Sequence, residues 1–473
     1  MPVNTRHPEY DANVGLWARM RDAVGGEDAI KARGMTYLPV PSGMAKSNAP
    51  SNIPRSDFPA TNVEHSPAFR NYISRARYPE MVAPAVEGMV GLIGRKEPEI
   101  DMPQAMDYLR EQATVDGLSM DALIDRVRHE VAVTGRMLVL VEVDDDGLPF
   151  LVTYPAEAAI NWRADGENIT LLVLEEQVLE SGEDQFEHVS VTQWRSLELE
   201  DGTYVVNIYR LDDNTKQPTL VEQIVPEMRG GQTLNFIPSV FIGSRDLLPQ
   251  PDALPLLAVA NKSLHYYRQS ADHGLQIYMA AHGTTPYIFG VPEDDAPSAI
   301  GPAELWTSEQ ADTKAGFIEV SGSGLDASKQ YLDETKQEIV QATIQAMSES
   351  KRDAEAAETL RLRFQAQTAT LTSIAVSSAR GLEKALRMAA FWLGVNDEPS
   401  GDAVTITQPT DFITEQPNPQ VLSGLLNGVE RGLMPETILS SYLRRVDLTE
   451  MTDEDFAAFT PAAQALASGD EEG

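Results

Sequence analysis

The chain has 473 residues, 42% of them hydrophobic and 23% charged, a globular composition long enough for two or three compact domains. Its 72 acidic residues against 37 basic ones leave a net charge of −35, which repels polyanions over most of the surface and excludes a conventional basic nucleic-acid binder. The absence of cysteine excludes disulfide frameworks, thiolate metal sites and cysteine nucleophiles.

The opening MPVNTRHPEYDANVGLW has no basic stretch followed by an apolar core, so it does not read as a secretory signal. No run approaches about eighteen apolar residues, and no membrane span is expected. From Tyr10 to Gly135 the pattern is mostly helical, with Val14, Trp17 and Met20 on one stripe before the break at Gly25 and Gly26. Residues 38–63, rich in Pro, Ser and Asn, read as an extended excursion. Helical patterns resume near 65–94 and 103–116. A further one runs through SMDALIDRVRHEVAVTG, with Ser119 as N-cap and Gly135 as stop.

The period then changes to two. MLVLVEVDDDGLPFLVTYP reads as a hairpin closed by the DDDG turn. Strand-like runs follow at NITLLVLEEQV, HVSVTQWRSLEL, GTYVVNIYRL, TLVEQIVP and FIPSVFIG, and their spacing predicts one antiparallel sheet over roughly 137–242. Helix returns at about 253–281, followed by a Pro/Gly-rich module at 282–324 with strand candidates TPYIFGV and GFIEVSG. Helical blocks at 326–349 and 354–394, the short strand AVTITQP, a helical segment at 417–466 and the acidic tail SGDEEG complete the chain.

The densest cluster of chemically capable residues is SLHYYRQSADH, residues 263–273. On a helix His265 and His273 stand about 12 Å apart along the axis, too far for one metal, whose helical ligands need a spacing of three or four. Arg268 and Asp272 are spaced to pair on the surface. Leu257, Ala260, Leu264, Tyr267, Ala271, Gly274, Tyr278 and Ala281 recur at alternating threes and fours, a packing seam that leaves Lys262, His265, Arg268 and Asp272 on a polar face. The consecutive acids at Asp144–Asp146 fit a hairpin turn better than a calcium loop. His129-Glu130 lacks the second histidine of a zinc helix, and the Gly-rich stretches fit neither the P-loop nor the dinucleotide fingerprint. The segment SESKRDAEAAETLRLRF gathers Lys351, Arg352, Arg361 and Arg363 in an otherwise acidic chain, either as solvated charges or as a loop facing a polyanion.

The order of these parts resembles the portal proteins of tailed bacteriophages, the head-to-tail connectors at one capsid vertex. GRMLVLVEVDDDGLPFLVTYPAEAAINW is similar to that family's wing sheet, with a helix-like step after the proline. FIPSVFIGSRD with PLLAVANKSLHYYRQSADHGLQIY resembles the passage into a first stem helix, and LDASKQYLDETKQEIVQATIQAM a second one. SESKRDAEAAETLRLRF resembles the tunnel loop running into a long kinked helix, and LLNGVERGLMPETILSSYLRR the crown. The resemblance spans about residues 10–460, without the basic belt some members carry.

It implies an α+β, portal-like fold: a wing at 1–252 with helices and then the antiparallel sheet, a first stem helix at 253–281, a small α/β clip at 282–324, and a second stem helix at 325–347. A tunnel loop at 348–358, a long kinked helix returning to the wing at 359–414, and a helical crown with an acidic tail at 415–473 complete it. The implied function is a non-enzymatic ring, typically a dodecamer, that passes double-stranded DNA without sequence specificity during packaging and ejection. Its implied partners are the terminase large subunit, head-completion or adaptor proteins, the major capsid protein and a scaffold protein. Ser348, Lys351 and Arg352 would face the channel. No catalytic residue, metal, cofactor or membrane is implied, and the expected location is the virion, after assembly in the host cytoplasm. The competing readings are a metal-dependent hydrolase using His265, Asp272 and His273, and a monomeric acidic adaptor or scaffold from a prophage.

Overall fold

The computed structural model describes residues 2–41, 67–144, 146–182, 184, 186–212, 214–228, 231–281, 285–291, 312–318, 324–347, 357–410, 419–431 and 433–445. Over them the fold is α+β, with antiparallel pairing throughout the sheets described.

Helix α1 (Pro8–Val24) begins with a proline in its first turn, where the missing amide proton costs nothing, and His7 Nδ1 accepts from the Glu9 amide. It stops at Gly25, and Gly26, at φ 81°, starts α2 (Gly26–Ala32). Trp17 and Met20 are fully buried. Helices α3 (Pro67–Arg75) and α4 (Val82–Ile93) and strand β1 (Glu99–Asp101) follow.

The helix expected over 103–116 shrinks to a 3-10 turn and one turn of α5 (Tyr108–Glu111). The Thr114 hydroxyl accepts from the Leu118 amide and Gly117 takes φ 81°, so a local turn outcompetes helix propagation. Helix α6 (Met120–Thr134) behaves as its sequence predicts. Ser119 Oγ accepts from the Ala122 amide, and Gly135 ends the helix at φ 71°.

The hairpin of β2 (Arg136–Val143) and β3 (Pro149–Pro155) is closed by Asp144, whose Oδ1 accepts from the Asp146 amide at 3.0 Å and the Leu148 amide at 2.7 Å. Gly147 supplies the left-handed residue at φ 74°. The helix-like step expected after Pro155 is only a tight turn, and β4 (Ala159–Asp165) follows it. In β4 Trp162 is buried and registered opposite Leu172 of the next strand, a pairing that holds this segment extended.

Strands β5 (Asn168–Ser181), β6 (His188–Glu200), β7 (Thr203–Leu211) and β8 (Pro218–Ile224) continue from β4 as a five-stranded meander. Strand β9 (Ser239–Gly243) returns to β2, giving a second sheet of order β3-β2-β9. The single sheet predicted over 137–242 is therefore two. Both edges of β2 are taken, by β3 and β9, and the turn after Pro155 carries the chain off into the other sheet. The two are tied by Arg195 on β6, which ion-pairs with Glu142 on β2 and Glu176 on β5.

The rest of the chain comprises α7 (Leu257–Ala281), β10 (Thr285–Phe289) paired with β11 (Lys314–Ile318), α8 (Leu325–Met347), α9 (Ala357–Trp392), β12 (Thr405–Thr407), α10 (Pro419–Glu430) and α11 (Glu436–Arg445). Strand β12 pairs with β1, Ile406 opposite Ile100. At 36 residues α9 spans about 54 Å, and it lies on β9 and β2. Gly381 permits that approach, since a Cβ there would sit 2.4 Å from Ile242 Cγ1. Ser377 fixes it by donating to the Gly243 carbonyl at 2.7 Å.

At the centre Arg136 is 1% exposed, its guanidinium 4.1 Å from the Trp162 ring centroid and 3.9 Å from that of Phe241. His7 stacks on Trp162 at 4.1 Å. Burial lowers the Arg136 pKa to about 9, so at neutral pH it is a cation held by ring faces.

Candidate functional site

SLHYYRQSADH forms the middle of α7, where Leu264, Tyr267 and Ala271 are buried. The seam predicted from their spacing exists in this half of the helix. It fades toward the C-terminal end, where Ile277, Tyr278 and Met279 are 45%, 44% and 43% exposed.

The polar residues of the stretch do not share one environment. At 100° per residue, Lys262, His265, Arg268, Asp272 and His273 spread over about 140° of the helix, too wide for one neighbour. Lys262, His265 and His273 meet α8, which runs antiparallel. Lys262 pairs with Glu338, His265 Nε2 lies 2.8 Å from the Tyr331 hydroxyl, and His273 Nδ1 lies 3.0 Å from Ser328 Oγ. Lys262 also holds the Glu338 carboxyl below its ordinary pKa, chiefly by hydrogen bonding and then by charge.

Arg268 and Asp272 turn the other way. Arg268 Nε donates to the Tyr37 carbonyl at 2.8 Å, and Asp272 Oδ1 accepts from the Tyr72 hydroxyl at 2.5 Å. Burial, then this bond to a carboxylate, raise the Tyr72 pKa. The Arg268–Asp272 surface pair expected from the i,i+4 spacing is thus replaced by two tertiary contacts. A helix pair offers a few tenths of a kcal/mol, less than hydrogen bonds to partly buried partners.

The two histidines are each engaged by a separate hydroxyl on α8, and Asp272 faces α3 instead, so the hydrolase triplet His265, Asp272 and His273 is not brought to one point. Among the described residues no group of three or more His, Asp or Glu is placed to hold a metal ion. Nor is any described helix long and apolar enough to cross a membrane. Ser348, Lys351 and Arg352, the expected channel residues, lie outside the described residues, as does most of the module at 282–324.

Helix α8 is amphipathic. Leu332, Thr335, Ile339 and Thr343 are buried, whereas Tyr331 and Val340 remain exposed. It also touches α4 and α9, and with Ile339 and Val259 in the main core the α7–α8 pair is rooted in the body near those residues. At the other end, β10 and β11 stand between the two helices in sequence. A separate cleft of about 620 Å³ lies between the start of β5 and α9; its charges are largely self-paired, Lys384 with Glu167 and Arg387 with Glu383.

One feature was missed from the sequence. PAFRNYISRARYP, residues 67–79, holds three arginines and no acid in a chain with nearly twice as many acids as bases, and that local reversal was the available signal.

Residues 255–393, from the start of α7 to just beyond α9, match the family described as a domain of unknown function (DUF4055). No curated protein matches the sequence. Among solved structures, the chain is similar to one in the virion of a native gene transfer agent particle, with a TM-score of 0.35 and 12% identity, covering 76% of this chain and 89% of that one. It is similar to a chain in the neck of an empty particle of this kind computed with C6 symmetry, with a TM-score of 0.35 and 13% identity over 76% and 90% of the two chains. A chain in the neck of the native particle computed with C12 symmetry gives a TM-score of 0.34 and 11% identity over 76% and 89%.

Proposed function

We propose that this chain is the portal subunit of a tailed bacteriophage or a phage-derived particle, assembling into a ring through which double-stranded DNA passes. The observation that carries the reading is the order α7, β10–β11, α8, α9: two long antiparallel helices joined through a small β unit, followed by a 36-residue helix that returns to the body. A helix pair rooted at one end, with Ile277, Tyr278 and Met279 exposed toward the other, is a stalk completed by neighbours in an assembly.

In this reading α7 and α8 are the stem, residues 282–324 the clip that docks terminase and head-completion proteins, and Ser348, Lys351 and Arg352 the loop facing DNA. The net charge of −35 supports a channel wall that lets DNA slide, with a few basic side chains making transient phosphate contacts. The ring has no catalysis of its own, and a separate motor supplies the work. It belongs to the virion.

Negative-stain microscopy and native mass spectrometry of the purified chain test this directly. Rings support it. A monodisperse monomer at micromolar concentration under every salt condition overturns it in favour of the monomeric adaptor. Lys351→Glu combined with Arg352→Glu should impair DNA packaging while rings still form, and normal packaging by that variant removes the role given to the loop.

A further inference from the structure

Two copies of a chain carrying −35 repel one another, so they meet most easily where the sign is reversed. Such a region lies where α1, α3 and α7 come together, on the flank of α7 turned away from α8. Arg19 Nη1 donates to Asn261 Oδ1 at 2.9 Å, and Arg268 Nε to the Tyr37 carbonyl at 2.8 Å. Arg75 donates to the Asn71 carbonyl at 2.7 Å and lies 4.1 Å over the Tyr278 ring. Each of these partners is neutral, so each guanidinium keeps its full charge. From Asn261 to Tyr278 the row covers eighteen residues of α7, about 25 Å from first to last.

Arg70 and Arg77 extend it onto the exposed side of α3 and the segment after it, Arg77 with its side chain 76% exposed and 3.9 Å from Glu27. Of the acids nearby, Asp22 is paired by Arg33 and Glu27 by Lys31, and the two that bond to neutral groups, Asp272 to the Tyr72 hydroxyl and Glu80 to the Glu27 amide, stand against the five arginines Arg19, Arg70, Arg75, Arg77 and Arg268. The uncompensated charge is therefore positive and carried by arginine, whose planar fork pairs with carboxylates through two bonds at once.

We infer that this arginine face is the contact by which one copy of the chain binds the acidic surface of a second copy. The inference rests on the ring reading and names one side of the ring's subunit contact. Such a contact is heterologous, because an arginine face cannot pair with itself, and a heterologous contact closes into a ring when its rotation permits. The occupant is chosen by charge: a second copy brings 72 acidic residues and can set one acidic ridge between these arginines, whereas a DNA duplex would also have to lie against the acidic surroundings.

The test compares assembly of three proteins by native mass spectrometry and light scattering over a concentration series: the full chain, Arg70→Glu with Arg77→Glu, and a control, Arg163→Glu with Arg245→Glu, which makes the same change in net charge at exposed sites elsewhere. Circular dichroism verifies that each is folded, and Arg70→Gln with Arg77→Gln serves if the reversal misfolds. The expected result is that the Arg70/Arg77 reversal needs at least about tenfold higher concentration to assemble, the control matches the parent, and added salt weakens the parent. Rings formed equally well by both variants overturn this inference and leave the ring reading standing. A parent that is monomeric under all conditions overturns both. A short DNA duplex bound by the parent and lost in the Arg70/Arg77 variant, with assembly unchanged, also overturns it and assigns the face to DNA.

Discussion

The body and the α7–α8 pair obey the same packing rules with different outcomes. In the core of the body the large faces find partners within the chain: Trp17, Met20, Phe241 and the inner side of α9 are buried, and β2 is covered on both faces and both edges, while the five-stranded sheet leaves Leu179, Leu220 and Val221 exposed. In the helix pair, Leu264, Tyr267, Ala271 and Ile339 are buried, while Ile277, Tyr278, Met279, Tyr331 and Val340 are 37–45% exposed. The core around β2, β9 and α9 is closed within one chain; the helix pair is closed mainly on the side that faces that core. Sequence changes in the first region should therefore be read as stability and in the second as assembly.

The sharpest way to break that contrast is at Arg136. Arg136→Ala empties the slot between Trp162 and Phe241 and should cost about 3 kcal/mol in denaturant unfolding. Arg136→Met fills the slot without a desolvated cation and should stay within about 1 kcal/mol of the parent, or exceed it. A Met variant as damaged as the Ala variant would mean that the charge itself stabilises the body.

Gly381→Ala should cost about 2 kcal/mol, because its Cβ would fall 2.4 Å from Ile242 Cγ1 and 2.6 Å from Cδ1. Adding Ile242→Val, which removes Cδ1, should recover part of that loss in a double-mutant cycle, and strict additivity would show that α9 simply moves away. Ile277→Ser with Met279→Ser should leave thermal unfolding of the subunit within about 0.5 kcal/mol while reducing ring formation. A large stability loss there would erase the distinction between the two regions.

The smallest effect concerns pH. The Glu338 carboxyl is held below its usual 4.5 by the hydrogen bond and charge of Lys262. A depressed folded-state pKa means that the pair contributes fully above the unfolded value and is lost as pH falls through the lower folded value. Titration of the Glu338 side chain by NMR should show a midpoint below 4.5 that Lys262→Met returns to the ordinary range. No displacement in the parent would remove the pair as a link between the helices.

Much of the architecture was legible because its causes are local. Ser119 and Gly135 mark the ends of α6 by the cap and the left-handed residue they supply, and Asp144 with Gly147 closes its hairpin unaided. The long helices were read to within a few residues from their periodicity. What escaped depends on partners far along the chain. Strand β1 exists because β12 pairs with it from position 406, β4 because Trp162 has a place against Arg136, and the split into two sheets because β9 claims the second edge of β2. The spacing of the polar stretch on α7 keeps its two histidines apart, and each meets a different hydroxyl of α8. That its residues divide between α8 on one side and Tyr37 and Tyr72 on the other could not be read from it.

The sequence by itself determined the class of fold, the acidity and the succession of helices and strands, since these follow from composition, period and capping, all properties of neighbouring residues. Only the tertiary structure decided which faces are closed and which stay open. It showed arginines dispersed over α1, α3 and α7 gathered on one flank, and an apolar stripe on α7 that is buried from Ala260 to Ala271 and half-exposed at Tyr278. The physical reason is that burial and charge complementarity are properties of surfaces in space, and residues separated by two hundred positions share a surface only after the chain has folded.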